Sequence, residues 1–143
     1  MTNFSSNDFR SALSSFATGV TIITARDLND DPIGMTASSF NSVSMEPPLV
    51  LWSIAKSALS SPSFTNATFF AVHVLASDQS EISNKFAIKG EDKFSKINWH
   101  EDQNRVPIIS DVSSRFDCQT RDIHDGGDHW IIVGRRDWNN PSS

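Results

Sequence analysis

The chain opens with apolar residues at helical spacing and then changes to a run of β-branched residues. Phe9, Leu13 and Phe16 would share one face of a helix, and Gly19 is a typical helix stop. Residues 20–24 are all β-branched, which predicts a strand. The pattern therefore predicts one helix followed by the first strand.

A hairpin and a further strand follow. The turn residues at 29–32 and the apolar positions of 33–40 predict the return strand of a hairpin. That strand continues into hydroxyl-bearing residues up to Ser44. The prolines at 47–48 end any helix and restart the chain as an extended segment. Residues 49–54 then have the composition of a strand.

The middle of the chain predicts a strand and an amphipathic helix. Residues 69–75 alternate and are β-rich, which indicates a strand. Residues 78–89 predict a helix with Ile82 and Phe86 on one face, ended by Gly90. Two less regular segments are predicted to be a short helix or loop at 57–65 and an irregular, charged region at 92–107.

The last pattern is a hairpin that contains a central strand. Residues 114–124 predict a long strand, and the sequence at 125–128 is a strong hairpin turn. Residues 129–133 are apolar on both faces, as a central strand would be. From residue 134 the tail is polar and has no strand signal. Five or six strands with two inserted helices predict a mostly antiparallel sheet closed into a small barrel.

Composition narrows the class of protein. A chain of 143 residues with 38% hydrophobic residues predicts a single packed domain over 1–143. The net charge of −5 argues against nucleic-acid binding. A single cysteine, Cys118, excludes an internal disulfide and favours a reducing compartment. With neither a leader-like start nor a long apolar run, we expect a cytoplasmic protein that makes no membrane contact.

Hydroxyl groups and a lysine collect where two predicted strands end. Thr36, Ser38 and Ser39 belong to the first strand end, and Lys56 and Ser57 follow the second. Backbone amides, hydroxyls and one ammonium are what a flat, polar-edged, phosphorylated ligand needs. On composition alone, the alternative that Ser and Thr simply fill turns is the favoured interpretation.

The other candidate residues also have structural interpretations. Lys56 could be a solvated surface lysine, and His129 a polar residue at a strand start. Phe86 is most simply a core residue, and Cys118 is favoured as a buried, inert thiol. The sequence has no dinucleotide glycine motif, phosphate loop or nucleophile elbow. Its four histidines have no ligand spacing, so no metal site is predicted.

Short segments stand out when the chain is taken in order: FRSAL (9–13), FATGVT (16–21), GMTASSF (34–40), SVS (42–44), PPLV (47–50), AKS (55–57), VLA (74–76) with DQ (78–79), FA (86–87), DKF (92–94) and GGDH (126–129). Together they resemble the flavin reductase-like family, the small components of two-component flavin-dependent monooxygenases. The similarity extends from about residue 8 to residue 134, and it depends on the combination of segments rather than on any one of them.

The resemblance implies a split β-barrel homodimer that reduces FMN or FAD with NADH or NADPH and supplies reduced flavin to a partner monooxygenase. The cofactors carry the hydride chemistry, so no protein nucleophile is required. By analogy, the isoalloxazine edge would be lined by Met35, Thr36, Ala37, Ser38 and Ser39, and the flavin phosphate would be held by Ala55, Lys56 and Ser57. The cofactor pocket would be bordered by Phe86, Asp92 and Lys93, and the catalytic residue near the nicotinamide would be His129.

The sequence departs from the family pattern at two places. His73 stands where the family usually has Asn, next to the expected flavin wall. After Gly134 the family continues with strand residues, whereas this chain becomes polar, so its last segment is expected to be shortened or replaced. Two alternative functions remain at this point: a flavin-binding electron carrier without pyridine-nucleotide turnover, and a split-barrel enzyme acting on another substrate such as a corrinoid.

Overall fold

Strands dominate the computed structural model, which describes residues 20–88 and 92–136. The predicted first helix, the predicted stop at Gly90 and the tail after residue 136 lie outside these described residues. The strands are β1 Thr21–Arg26, β2 Pro32–Ala37, β3 Asn41–Met45, β4 Pro48–Ala55, β5 Phe69–Val74, β6 Trp99–Glu101, β7 Pro107–Ile109, β8 Ser114–Asp125 and β9 His129–Arg136. The helices are α1 Ser61–Asn66 and α2 Ser80–Ala87.

Seven strands form one antiparallel sheet in the order β2-β1-β5-β8-β9-β4-β3, and β6 pairs with β7 separately. Just past β2, the Ser39 hydroxyl donates to Ser53 O of β4 (3.2 Å) and accepts from Ser53 N–H (2.9 Å). These bonds join two places that are far apart in the strand order, so the sheet curls around its own core. The predicted mostly antiparallel β architecture is confirmed.

The core lies on the concave side of the curled sheet and is centred on Trp52. Burial alternates strictly along β4, with Trp52 fully buried. The indole ring packs edge-on against Phe64 of α1 (centroids 5.0 Å apart) and tilted against Phe70 of β5 (6.3 Å). Helix α1 begins with Pro62 in its first turn, where a missing N–H costs nothing. A short helix thus covers one end of the core.

Some element boundaries differ from the prediction because strand pairing overrides composition. The predicted strand 33–40 ends at Ala37, and the hydroxyl-rich segment beyond it forms β3 by pairing with β4. The region 92–107, expected to be irregular, contains β6 and the first residue of β7. The predicted end of the last strand at Val133 is wrong, because the pairing of β9 with both β8 and β4 continues as far as Arg135.

Gly134 shows why β9 can continue through a position that looks like a break. A Cβ there would lie 2.4 Å from Cζ of Phe70, so only glycine lets that ring pack against the strand.

No helix among the described residues is long and apolar enough to cross a bilayer.

His73 of β5 is fully buried and forms hydrogen bonds with β1 and β7. Its Nδ1 lies 3.1 Å from Ile22 O of β1, and Ile109 N–H of β7 donates to its Nε2 at 3.0 Å. These partners require the neutral ring with Nδ1–H donating to Ile22 O. Burial lowers the pKa of His73 from 6.5 to about 4. Asn also combines one donor group with one acceptor, although its side chain is shorter than that of His.

We expect the free energy of unfolding to fall between pH 6.5 and about 4 through His73. The unfolded chain binds a proton there in this window and the folded chain does not, so this contribution is complete above pH 6.5 and is lost as pH falls. A shift of this size corresponds to about 3 kcal/mol. Urea unfolding at several pH values should show a shallower slope for His73→Asn than for wild type or the exposed control His124→Asn. Equal slopes in all three proteins would contradict this role.

Candidate functional site

A cavity of about 530 Å³ lies along the outer edge of β2. Strand β2 is an edge strand of the seven-stranded sheet and, in the described part of the chain, pairs only with β1. Consecutive residues of β2 line the cavity together with the loop before α1, the end of α2 and residues 92–94. An edge strand presents backbone donors and acceptors, which suit a planar ligand with a polar rim. Of the predicted site residues, the cavity brings together Met35, Thr36, Phe86, Asp92 and Lys93.

One wall of the cavity depends on close contact between β2 and α2. A Cβ at Gly34 would lie 2.6 Å from Cε1 of Phe86, so the ring packs directly on the strand backbone. Phe86 is 1% exposed and contacts the Phe94 ring edge-on at 5.2 Å. The Thr36 hydroxyl adds a second connection by donating to Ser83 O of α2 at 2.6 Å. Thr36 therefore lines the cavity, but its hydroxyl hydrogen is donated to Ser83 O and only the oxygen can accept a hydrogen bond from a ligand.

Lys93 is the one cation among the described residues that line the cavity. Its Nζ donates to Gly34 O at 3.1 Å and to Phe86 O at 3.0 Å, so it joins β2 to α2. Partial burial lowers the pKa of the Lys93 ammonium. Because an ammonium has three N–H groups, one donor remains for a ligand.

The rest of the predicted isoalloxazine segment lies away from this cavity. Ala37 is buried in the barrel core, and the Ser39 hydroxyl makes both of its bonds with Ser53. Ser38 is exposed. The structure therefore divides the predicted segment: Met35 and Thr36 lie at the cavity, and Ser39 bonds to β4. Ser38 is the one residue of the segment that is exposed.

A second group of predicted residues lies where β4 and β9 meet. Ala55 pairs with His129 across the two strands, and Lys56 N–H donates to Asp128 O at 2.9 Å. The Lys56 ammonium lies 2.7 Å from an Asp125 carboxylate oxygen and 4.4 Å from the centre of the Trp130 ring. The ammonium is thus held by the β8–β9 hairpin, which sequence reasoning did not predict.

The His129 ring is also held by this hairpin. Its Nδ1 lies 2.7 Å from Asp128 Oδ1, and this hydrogen bond holds the pKa of the Asp128 carboxyl below its usual range. An ionised Asp128 accepts from Nδ1–H, so the Nε2 atom remains available to a ligand in the neutral ring. The side chain is 45% exposed, which leaves it accessible from solvent.

A short loop connects the two groups. Ser57 is exposed at its start, and the following residues Ala58, Leu59 and Ser60 line the cavity. Sequence reasoning missed these lining residues, as well as Ser63 of α1 and Asp27 near the β1–β2 turn. Pro62 was the available signal, because a proline in a helix's first turn places the preceding loop beside that helix end.

The chain belongs to the flavin reductase-like domain family, whose model matches residues 13–138. This confirms the resemblance and the split-barrel class. The chain is 49% identical to the FMN reductase (NADH) SmoA of Agrobacterium fabrum over 129 residues, which is 90% of this chain and 73% of that protein. It is 41% identical to the reductase component of the flavin-dependent trigonelline monooxygenase of Acinetobacter baylyi, over 90% of this chain but only 41% of that protein.

A solved structure shares the fold. The NADH:FAD oxidoreductase SgcE6 of Streptomyces globisporus, in complex with NAD and FAD fragments, has a TM-score of 0.77 and 32% identity over 95% of this chain and 84% of that one. The chain thus spans about three quarters of the length of the Agrobacterium reductase but less than half of the length of the Acinetobacter reductase component.

We expect Gly34→Ala to destabilise the cavity wall. Its Cβ would overlap the Phe86 ring, and overpacking of this kind costs about 1–3 kcal/mol. Adding Phe86→Leu removes the overlapping ring edge, so the double variant should lose less stability than the sum of the two single variants. Urea unfolding of all four proteins measures this coupling. Strictly additive losses would show that the two residues do not form one packed unit.

Proposed function

We propose that the protein is an NAD(P)H:flavin oxidoreductase, formed by residues 1–143 as a single flavin reductase-like domain, which reduces FMN or FAD and supplies reduced flavin to a partner monooxygenase. The observation that carries the proposal is the cavity along β2, which gathers an apolar wall, backbone edge groups and one ammonium in a chain of this family. The relatives named as FMN reductase (NADH) and as a monooxygenase reductase component support it.

The residues present suit a flavin. The cavity volume of about 530 Å³ is in the range of small-molecule sites. Met35 provides apolar surface for a ring system, and the buried Phe86 ring supports the wall. The β2 edge and the remaining Lys93 donor suit a rim of carbonyl and amide groups. The loop from Lys56 to Ser60 would connect this ring site with the phosphate site at Ala55, Lys56 and Ser57.

The protein's part in the reaction is placement. When bound, the nicotinamide supplies a hydride and the flavin accepts it. The apolar wall would limit the access of water to the ring site, and the Lys93 bridge holds β2 and α2 together in that wall. His129, oriented by Asp128, would position the nicotinamide. Rates depend steeply on such placement, so catalysis needs no protein nucleophile.

A steady-state assay that crosses NADH and NADPH with FMN, FAD and riboflavin tests the function. NADH or NADPH oxidation that requires added free flavin is the expected result. Flavin that stays bound through purification without any nicotinamide oxidation would contradict the proposal and identify an electron carrier instead.

A homodimer in the cytoplasm is the assembly and location that we propose. Leu49, Leu51 and Ile131 lie half-buried on the side of β4 and β9 that faces away from Trp52. An apolar face of this kind suits a second copy of the chain. A chain with a single, buried cysteine, Cys118, suits a reducing compartment. Sedimentation that finds an active monomer would contradict the dimer.

We expect His129→Ala to slow flavin reduction by about tenfold or more while changing the flavin dissociation constant by less than about twofold. The reason is that the ring would position the nicotinamide rather than hold the flavin. Stopped-flow reduction and fluorescence titration separate the two quantities. His124→Ala, an exposed histidine on the same hairpin, is the matched control. An unchanged hydride-transfer rate would leave His129 a structural residue.

We expect Lys56→Ala to weaken FMN binding by about three- to tenfold and to leave riboflavin binding nearly unchanged. Riboflavin has no phosphate, so it reports damage that is unrelated to the ammonium. The loss is modest because the Lys56 ammonium already has a carboxylate partner in the unliganded protein. Fluorescence titration against both flavins measures the ratio, with the exposed Lys96→Ala as control. Equal losses for the two flavins would exclude a phosphate site at Lys56.

A further inference from the structure

The Lys56 ammonium is not presented to solvent as a free cation. It lies between the Asp125 carboxylate at 2.7 Å and the face of the Trp130 ring at 4.4 Å. Its side chain is 33% exposed, and that of Asp125 is 68% exposed. Any anion that approaches this lysine therefore meets a carboxylate that is already in place.

Asp125 is itself held in the geometry of this pairing. Its Oδ1 also accepts Gly127 N–H at 3.0 Å, inside the turn that reverses the chain between β8 and β9. Gly127 has a φ of +82°, which favours glycine and keeps this amide directed at the carboxylate. The bonds from Lys56 and Gly127 hold the pKa of Asp125 below its usual range, so the carboxylate is charged at neutral pH.

A second carboxylate adds to the local negative charge. Asp128 begins the return of the hairpin, and its backbone oxygen accepts Lys56 N–H at 2.9 Å. Its carboxylate pairs with the His129 ring, and Lys56 contributes to lowering the Asp128 pKa. The ammonium thus contacts the Asp125 carboxylate directly, and the more exposed Asp128 carboxylate acts on it at longer range. A phosphate that uses Lys56 must share or displace the Asp125 pair and approach both acids.

We propose that Asp125 is a specificity-determining residue of the flavin site, which lowers the affinity for phosphate-bearing flavins relative to riboflavin by holding the Lys56 ammonium. This inference rests on the proposed function, since it takes the Lys56 end of the loop as the place of the flavin phosphate. In this inference, the Asp125 carboxylate of the hairpin competes with the flavin phosphate for the Lys56 ammonium and so weakens phosphate binding.

The test is Asp125→Asn, which removes the charge and keeps an oxygen that can accept Gly127 N–H. The FMN dissociation constant should fall by about three- to tenfold, since the pair is exposed and exposed pairs are weak, whereas riboflavin should change by less than about twofold. Added salt should also weaken FMN binding more steeply in the variant than in wild type, because its ammonium is less neutralised. Fluorescence titration gives all of these values.

Two controls isolate the competition. Asp122→Asn removes a charge of the same sign from an exposed ion pair with Arg121 on the same hairpin, and it should leave the FMN to riboflavin ratio unchanged. In a Lys56→Met background, Asp125→Asn should give no gain, because there is no ammonium to release. Asp125→Ser provides a second uncharged variant if the Asn variant folds poorly.

The inference is overturned if FMN binding by both uncharged variants is unchanged or weaker. It is equally overturned if the gain persists without Lys56 or appears in Asp122→Asn. In these cases the proposed function still stands if the wild-type protein reduces flavin. A wild-type protein that neither binds nor reduces FMN, FAD or riboflavin would overturn both.

Discussion

The direct packing of Phe86 on Gly34 is the contact on which the candidate site depends. It brings α2 so close to the edge of β2 that a single additional carbon would overlap the ring. That closeness lets the Lys93 ammonium reach one carbonyl on each element. The apolar wall, the edge groups and the cation of the cavity therefore share one geometric origin. A packing constraint in the protein interior sets the electrostatics of the surface cavity beside it.

The two lysines of the predicted site illustrate different uses of the same side chain. Lys93 is partly buried between carbonyls that carry no net charge, so its positive charge remains uncompensated by those partners. Lys56 is paired with a carboxylate at the tip of a hairpin, so its charge is largely cancelled before any ligand arrives. A lysine that lies near a phosphate can consequently contribute little affinity, because binding exchanges one anionic partner for another.

Sequence patterns predicted the elements whose signals are local. The β-branched run of β1 and the Gly-Gly turn between β8 and β9 are present as expected. The same patterns missed β3 and the end of β9, because those residues become strands through pairing with β4 rather than through their own propensity. In the site, residue types indicated hydroxyls and a lysine, but not that Ser39 would join β4 or that Asp125 would hold Lys56. Such pairings cross long sequence separations and leave no local signal.

The arrangement of the site agrees with a reaction in which the protein supplies position rather than chemistry. The described residues of the cavity offer an apolar wall, a strand edge and an ammonium that already holds the wall together. The β8–β9 hairpin fixes the His129 ring through Asp128 and fixes Lys56 through Asp125. One hairpin thus controls both the proposed nicotinamide contact and the proposed phosphate contact. Because hydride transfer depends steeply on distance and orientation, the bonds that orient His129 and Lys56 before a ligand binds are the hairpin's proposed contribution to the reaction.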